Sequence, residues 1–165
     1  MARRCFFSFH YEVDSHRAAQ VRSIGVVEGN PAVSDNHWES IKAGGNAAIR
    51  RWIDKQLQYR SCTIVLVGAR TANRKWLNYE IEESWGRGMG IVGIRIHGLK
   101  DLYGRISLPG ANPFDYVNIK PGGLKLSQVV RLYNPSGTNS KERYAWIKAN
   151  LASVVEDAIG IRKQY

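Results

Sequence analysis

Apolar residues along this chain cluster in two ways: short, almost unbroken runs, and longer stretches in which they recur every third or fourth position. The runs are CFFSF at 5–9, CTIVLVG at 62–68 and GIVGIRI at 90–96. Each has strand length and is rich in β-branched or aromatic residues. A run without polar alternation predicts a strand covered on both faces, the habit of parallel sheets. The periodic stretches predict helices. Ala48, Ile49, Trp52, Ile53 and Leu57 share one side of 46–60; Leu77, Ile81 and Trp85 share one side of 74–87; Tyr144, Ile147, Leu151, Val154, Val155 and Ile159 form a stripe over 140–160. A further helix is expected through Arg17, Ala18, Ala19, Val21 and Ile24, with Asp14 or Ser15 as its cap. Thr71 or Asn73 is placed to cap the helix over 74–87, and Gly86 and Gly88 to end it. Two stretches lack either pattern. GVVEGNPAVSDNHWESIKAGG at 25–45 predicts at most a short second strand and then a long surface loop, and 99–137, with PGANPF and KPGG, predicts irregular chain with room for one short strand.

Strand, helix, strand, helix, strand is the rhythm of an open, doubly wound, mostly parallel sheet with helices on both faces, so the expected fold class is α/β. The 165 residues fit a single domain. No apolar run approaches the roughly 20 residues of a membrane span. The apolar stretch behind MARRC is too short for a signal-peptide core, so a cytoplasmic chain is expected. In that compartment Cys5 and Cys62, each inside an apolar run, read better as core thiols than as a disulfide. His10, His16, His37 and His97 are scattered and no Cys-x-x-Cys occurs, so no metal site is expected.

Charge widens the choice of partner without deciding it. The 24 Lys and Arg against 14 Asp and Glu give a formal +10, which suits nucleic acid, a membrane surface or a phosphorylated small molecule. No basic tail, arm or clustered basic helix emerges, which argues against a nucleic-acid binder, and a solvated basic surface explains the charge equally well. In open α/β sheets ligands collect at the carboxyl ends of strands, here His10-Tyr11, Gly68-Ala69-Arg70 and His97. No G-x-G-x-x-G follows the first run and no Walker lysine loop occurs, so Rossmann dehydrogenases and P-loop nucleotide triphosphatases drop out. CTIVLVG ends in glycine, which weakens a response-regulator reading. Ser8 lies inside a strand without the G-x-S-x-G elbow that exposes a nucleophile.

Glu80 stands out in NRKWLNYEI at 73–81, a lone carboxylate in an aromatic and basic segment. With Leu77, Ile81 and Trp85 turned to the core, Trp76, Tyr79, Glu80 and Glu83 form the flank beside it. A carboxylate there suits the rim of a pocket, or else an ordinary surface pair with Arg74 or Lys75. Spacing leaves both open.

Taken in order, RCFFSFHYE, NRKWLNYEIEES with its W-x-x-x-E, GIVGIRIHGLKDLYG and GANPFDYV resemble the Toll/interleukin-1 receptor (TIR) domain family, and within it the TIR-like ThsB proteins of the bacterial Thoeris antiphage system. The resemblance covers most of 3–117 and implies one TIR-like domain over 1–165, in which 118–165 supply an irregular segment and a helix packed on that core. It implies an enzyme of the NAD+ nucleosidase or ADP-ribosyl cyclase type. Such an enzyme cleaves the nicotinamide–ribose bond of NAD+ and makes a signalling nucleotide, a cyclic ADP-ribose isomer or a related derivative, that activates a partner effector in antiphage defence. NAD+ is then the substrate, with no separate cofactor. A phage-derived trigger and self-association are implied; nucleic acid and membrane partners are not. By position, Glu80 matches the family's catalytic glutamate. Phe9, His10 and Tyr11 match the loop that lines the nucleotide pocket, and Trp76, with Tyr79 near it, matches a pocket aromatic. Asp35 to Glu39, including Trp38, fall in the loop that helps complete a site across a subunit contact. Enzymatic members often carry basic residues where this chain has His10 and Tyr11. The alternative under the same resemblance is a non-catalytic adaptor acting by self-association, with Glu80 a surface residue.

Overall fold

The computed structural model describes residues 2–119 and 123–165; Lys120, Pro121 and Gly122 of the KPGG stretch lie outside the described residues. Among the described residues four strands, β1 (Cys5–Ser8), β2 (Cys62–Val67), β3 (Gly90–Arg95) and β4 (Leu132–Tyr133), form a parallel sheet in the order β1-β2-β3-β4. The helices are α1 (Tyr11–Arg22), α2 (Asp35–Ala43), α3 (Gly45–Leu57), α4 (Lys75–Gly86) and α5 (Ser140–Arg162), with 3-10 turns at Pro113–Tyr116 and Leu126–Gln128.

Alternation along the strands sorts side chains onto two faces. Cys5, Phe7, Ile64, Leu66 and Val92 meet α1 through Ala18 and Val21, and α5 through Ile147, Leu151 and Val155. On the other face Val65, Val67 and Ile91 meet Leu77 and Ile81 of α4, while Phe6 meets Ile49, Ile53 and Leu57 of α3. The sheet is therefore covered by helices on both sides, as the apolar runs require, and the α/β architecture is the one expected.

The expected second strand is reduced to one parallel bridge between Arg4 and Glu28, on the edge of β1 away from β2. Cys5 N–H donates to Glu28 O, and Glu28 N–H donates to Arg3 O, both at 2.8 Å. Past the bridge a side chain closes the edge: Asn30 Oδ1 accepts from Phe7 N–H at 2.9 Å, which satisfies a ladder donor that would otherwise stand open. The chain visits one side of β1, then crosses through α2 and α3 to the other. The winding of the sheet reverses at β1, the place where open α/β sheets bind ligands.

Three local expectations are corrected. α1 begins at Tyr11, with His10 at its N-cap, and Asp14 is not a cap: its carboxylate is buried inside the helix against Arg17 Nη1 at 3.2 Å. Residues 25–45 are not all loop, because Ser34 Oγ accepts from His37 N–H and starts α2. α4 begins at Lys75 with neither Thr71 nor Asn73 capping it. Thr71 Oγ1 instead accepts from Gly68 N–H at 2.7 Å, and Asn73 sits at φ 59° in the turn that precedes the helix.

Candidate active site

A cleft of about 540 Å³ opens at the carboxyl end of β1. Three connections wall it: the chain leaving β1 into α1 (Phe9 to Glu12), the segment after the Glu28 bridge (Asn30 to Val33), and the turn into α4 (Asn73 to Leu77). Trp38 of α2 and Trp52 of α3 also line it. The N-terminal residues of both α1 and α4 thus face one concavity, a common arrangement for binding small anionic molecules.

Glu80 lines this cleft and is 9% exposed. It belongs to the buried stripe Leu77, Glu80, Ile81, Ser84 of α4, so it lies within the core-facing stripe rather than on the expected flank. Alternation in β1 turns Phe6 and Ser8 toward the face that carries α3 and α4, and Ser8 Oγ donates to Glu80 Oε1 at 3.1 Å. Among the described residues neither Arg74, Lys75 nor any other cation pairs with Glu80. Lys75 Nζ sits instead over the Trp76 ring, 4.8 Å from its centroid. Burial without a cation pushes the Glu80 carboxyl up to about 8, with the Ser8 hydrogen bond pulling weakly the other way. The surface-pair reading of Glu80 fails on this geometry. The shift favours the protonated carboxyl near neutral pH; it ionises at higher pH or when positive charge arrives beside it.

His10 lines the same cleft at 7% exposed, and among the described residues its ring makes no hydrogen bond. Burial first, and then the Arg74 charge, lower its pKa, so the ring is neutral near pH 7. Phe9, Tyr11, Trp38 and Trp52 form a chain of rings with successive centroids 6.4, 5.7 and 6.0 Å apart. Tyr11 Oη lies 2.5 Å from Asp35 Oδ1 and 3.0 Å from Val33 O, and its hydrogen bond to Asp35 pushes the phenol up to about 12. That contact fastens α2 to α1. Asp35 itself does not line the cleft and acts through Tyr11.

The structure brings Phe9, His10, Tyr11, Trp38, Trp76 and Glu80 together and leaves Tyr79 outside. Tyr79 Oη donates to Asp54 Oδ1 of α3 at 2.8 Å, and its ring meets Trp76 edge-on at 5.8 Å, so it buttresses a lining residue. Gly68 to Arg70 and His97 do not line the cleft either. Several lining residues escaped sequence reading: Arg22, Asn30 to Val33, Arg74 and Lys75, with Ser8 behind Glu80. Arg22 donates to Asn30 Oδ1 at 3.4 Å and stacks over Phe7. Among the described residues no group of three His, Cys, Asp or Glu is arranged to hold a metal, and no helix is long and apolar enough to cross a membrane.

Residues 6–101 match the family model described as Thoeris protein ThsB, TIR-like domain. A protein of Bacillus cereus (strain MSX-D12), provisionally named cyclic ADP-D-ribose synthase ThsB1, is 42% identical over 122 residues. The match covers 71% of this chain and spans 64% of that relative's length. The family match runs through β1, β2 and β3 and includes every residue that lines the cleft. Parallel sheet, cleft and sequence agree: the chain belongs to the TIR-like domain family of the Thoeris protein ThsB.

Proposed function

We propose that this chain, as one TIR-like domain over 1–165, cleaves the nicotinamide–ribose bond of NAD+ and converts the ADP-ribose unit into a cyclic signalling nucleotide. The observation that carries the reading is Glu80, a buried carboxyl without a cation, on the wall of an aromatic-lined cleft at the winding reversal. Ordinary glycosides need two carboxylates because a poor leaving group must be protonated. Nicotinamide differs: the pyridinium takes the bonding pair as the C–N bond breaks and departs neutral. The remaining demand is stabilisation of positive charge at the anomeric carbon, and one ionised carboxylate supplies on the order of 3 kcal/mol. A pyridinium entering the cleft also favours the ionised form of Glu80, since an opposite charge nearby lowers a raised carboxyl pKa.

The attacking group decides the product. Water gives linear ADP-ribose; an adenine nitrogen or ribose hydroxyl of the same molecule gives a cyclic isomer if the substrate is folded and water is kept out. Phe9, Tyr11, Trp38 and Trp76 offer stacking surfaces for such a fold. The name of the Bacillus cereus relative supports the cyclic outcome. The same reading assigns a partner effector that responds to the nucleotide, a phage-derived trigger, self-association that walls the cleft along α2, and a cytoplasmic location.

The test is to incubate the protein with NAD+, with and without extract of phage-infected cells, and to follow nicotinamide and nucleotides by mass spectrometry. The expected result is nicotinamide release and a cyclic product from the wild type, and loss of both in Glu80→Gln with the fold retained. An adaptor that acts by assembly alone protects cells equally with Glu80→Gln, and retained protection and nucleotide production in that variant would remove the catalytic assignment.

A further inference from the structure

We propose that the N-terminus of α4, with Arg74, Lys75 and His10, is the seat of a diphosphate group in this cleft. The inference deepens the NAD+ reading and rests on it for the identity of the rest of the ligand. The first hydrogen bond inside α4 runs from Asn78 N–H to Arg74 O at 2.8 Å, so the N–H groups of Lys75, Trp76 and Leu77 precede it, and none has an acceptor among the described residues. Arg74 stands at the N-cap and supplies no side-chain cap. Such free N–H groups carry the positive end of the helix dipole and form a ready anion seat.

Three further observations point to an anion here rather than elsewhere in the cleft. α1 also starts at the cleft, but Glu12 and Asp14 in its first turn offset its dipole, whereas the first turn of α4 has no acidic residue. Arg74 and Lys75 line the cleft and, among the described residues, pair with no carboxylate. Arg22, the remaining cation that lines the cleft, is committed to Asn30, and Lys42 beside the cleft pairs with Glu12 and Glu39. His10 is the independent sign of a ligand, a polar side chain more than nine-tenths buried, lining the cleft with no hydrogen-bond partner among the described residues. Its neutral ring has one N–H to give to a phosphate oxygen.

The spacing suits a nucleoside diphosphate. From Arg74 to Glu80 the helix rises about 9 Å at 1.5 Å per residue. A ribose against Glu80 has its phosphate a few bonds further, within reach of the first-turn N–H groups and of two long basic side chains. Arg74 can grip two oxygens at once, while Lys75 acts as a point charge. Trp76 lines the cleft between the two ends, and Lys75 Nζ, 4.8 Å from its ring centroid, moves off that face to meet a phosphate.

The test uses ADP-ribose as the probe and intrinsic tryptophan fluorescence as the readout, since Trp38, Trp52 and Trp76 line the cleft. Nicotinamide riboside, which lacks the diphosphate, is the control ligand. Arg74 and Lys75 are exposed, so the double variant Arg74→Ala/Lys75→Ala is expected to keep its melting temperature. Its dissociation constant for ADP-ribose should rise by about tenfold or more and lose most of its salt dependence, with nicotinamide riboside binding unchanged. Arg74→Lys should recover part of the loss. Equal ADP-ribose affinity in variant and wild type overturns the proposal, as does an equal loss for nicotinamide riboside or a wild type that does not bind ADP-ribose. The two readings fail separately. Binding of ADP-ribose that depends on Arg74 and Lys75, without NAD+ cleavage under any trigger, sinks the enzyme and keeps the seat. NAD+ cleavage through Glu80 with an unchanged KM in the double variant does the reverse.

Discussion

Under the proposed reaction, Glu80 serves stability and chemistry in opposite protonation states. Its folded-state pKa of about 8 stands above the ordinary 4.5, so the folded protein holds the proton more tightly across that interval. The stabilisation this gives is fully present below pH 4.5 and is lost as pH rises through about 8, at about 1.4 kcal/mol per pH unit. Glu80→Gln keeps the shape and removes the titration. The melting temperature of the variant relative to wild type should therefore rise from pH 5 to pH 8, and a difference independent of pH would show that Glu80 is not buried as described. The proposed NAD+ cleavage needs the carboxylate, so on that reading kcat/KM for NAD+ should climb through about the same pH in the free enzyme. Sequence reading found Glu80 but put it on the flank, because a glutamate and Ser84 do not register as parts of an apolar stripe. Their burial depends on Ser8 and Thr63 on facing strands, which hydrogen-bond to Glu80 and Ser84. Strand alternation does give the face that Ser8 turns to; no local pattern says which helix residue waits there.

Elements were legible where burial is dense and lost where it is thin. The three apolar runs became β1, β2 and β3, and α3, α4 and α5 showed their periodicity, because each packs a continuous side against the sheet. β4 is two half-buried residues and left only the expectation of a short strand. α2 was missed because none of its residues is buried, so periodicity had nothing to report, and its cap Ser34 sits among Gly, Pro and Asn that read as loop. α2 is held instead by half-buried contacts: Ile41 against the apolar group around α3, Trp38 against Trp52 and Tyr11, Tyr11 to Asp35, and Lys42 to Glu12. A helix with few buried apolar contacts opens at lower free energy than one packed along its whole length. Amide exchange over 35–43 should be faster than in α5, and Asp35→Ala should quicken it further while changing global stability by less than about 0.5 kcal/mol. Exchange in α2 as slow as in α5 would mean that these half-buried contacts hold it as firmly as a core helix.

At the scale of the whole molecule, the question is why the cleft opens at β1 when β2 and β3 also present carboxyl ends. The chain after β3 lies over those ends and is tied down there. Gly110 packs so close to Gly68 and Ala69 that a Cβ on it would stand 2.5 Å from Gly68 O. Arg95 Nη1 donates to Gly110 O at 2.7 Å. Arg17 of α1 donates to Leu99 O at 2.8 Å and Arg105 O at 2.9 Å, and pairs with Asp14 behind them. Through Arg17 this closure joins residues more than eighty positions apart, so the sequence pointed to strand ends in general and not to one of them. The node is also where a single change should be felt most widely. Asp14 is fully buried, and burial raises its pKa while Arg17 opposes the rise. Arg17→Met removes the opposing charge, leaves a carboxylate unpaired in the interior and frees the overlying chain, and should cost about 3–5 kcal/mol. Because the cost belongs to the ionised form, the deficit should shrink as pH falls toward the carboxylate range. Asp14→Asn/Arg17→Met, which removes both charges, should recover part of the loss in denaturant unfolding. A double variant no more stable than Arg17→Met would mean that the hydrogen bonds to Leu99 and Arg105, and not the buried charge pair, hold β2 and β3 closed.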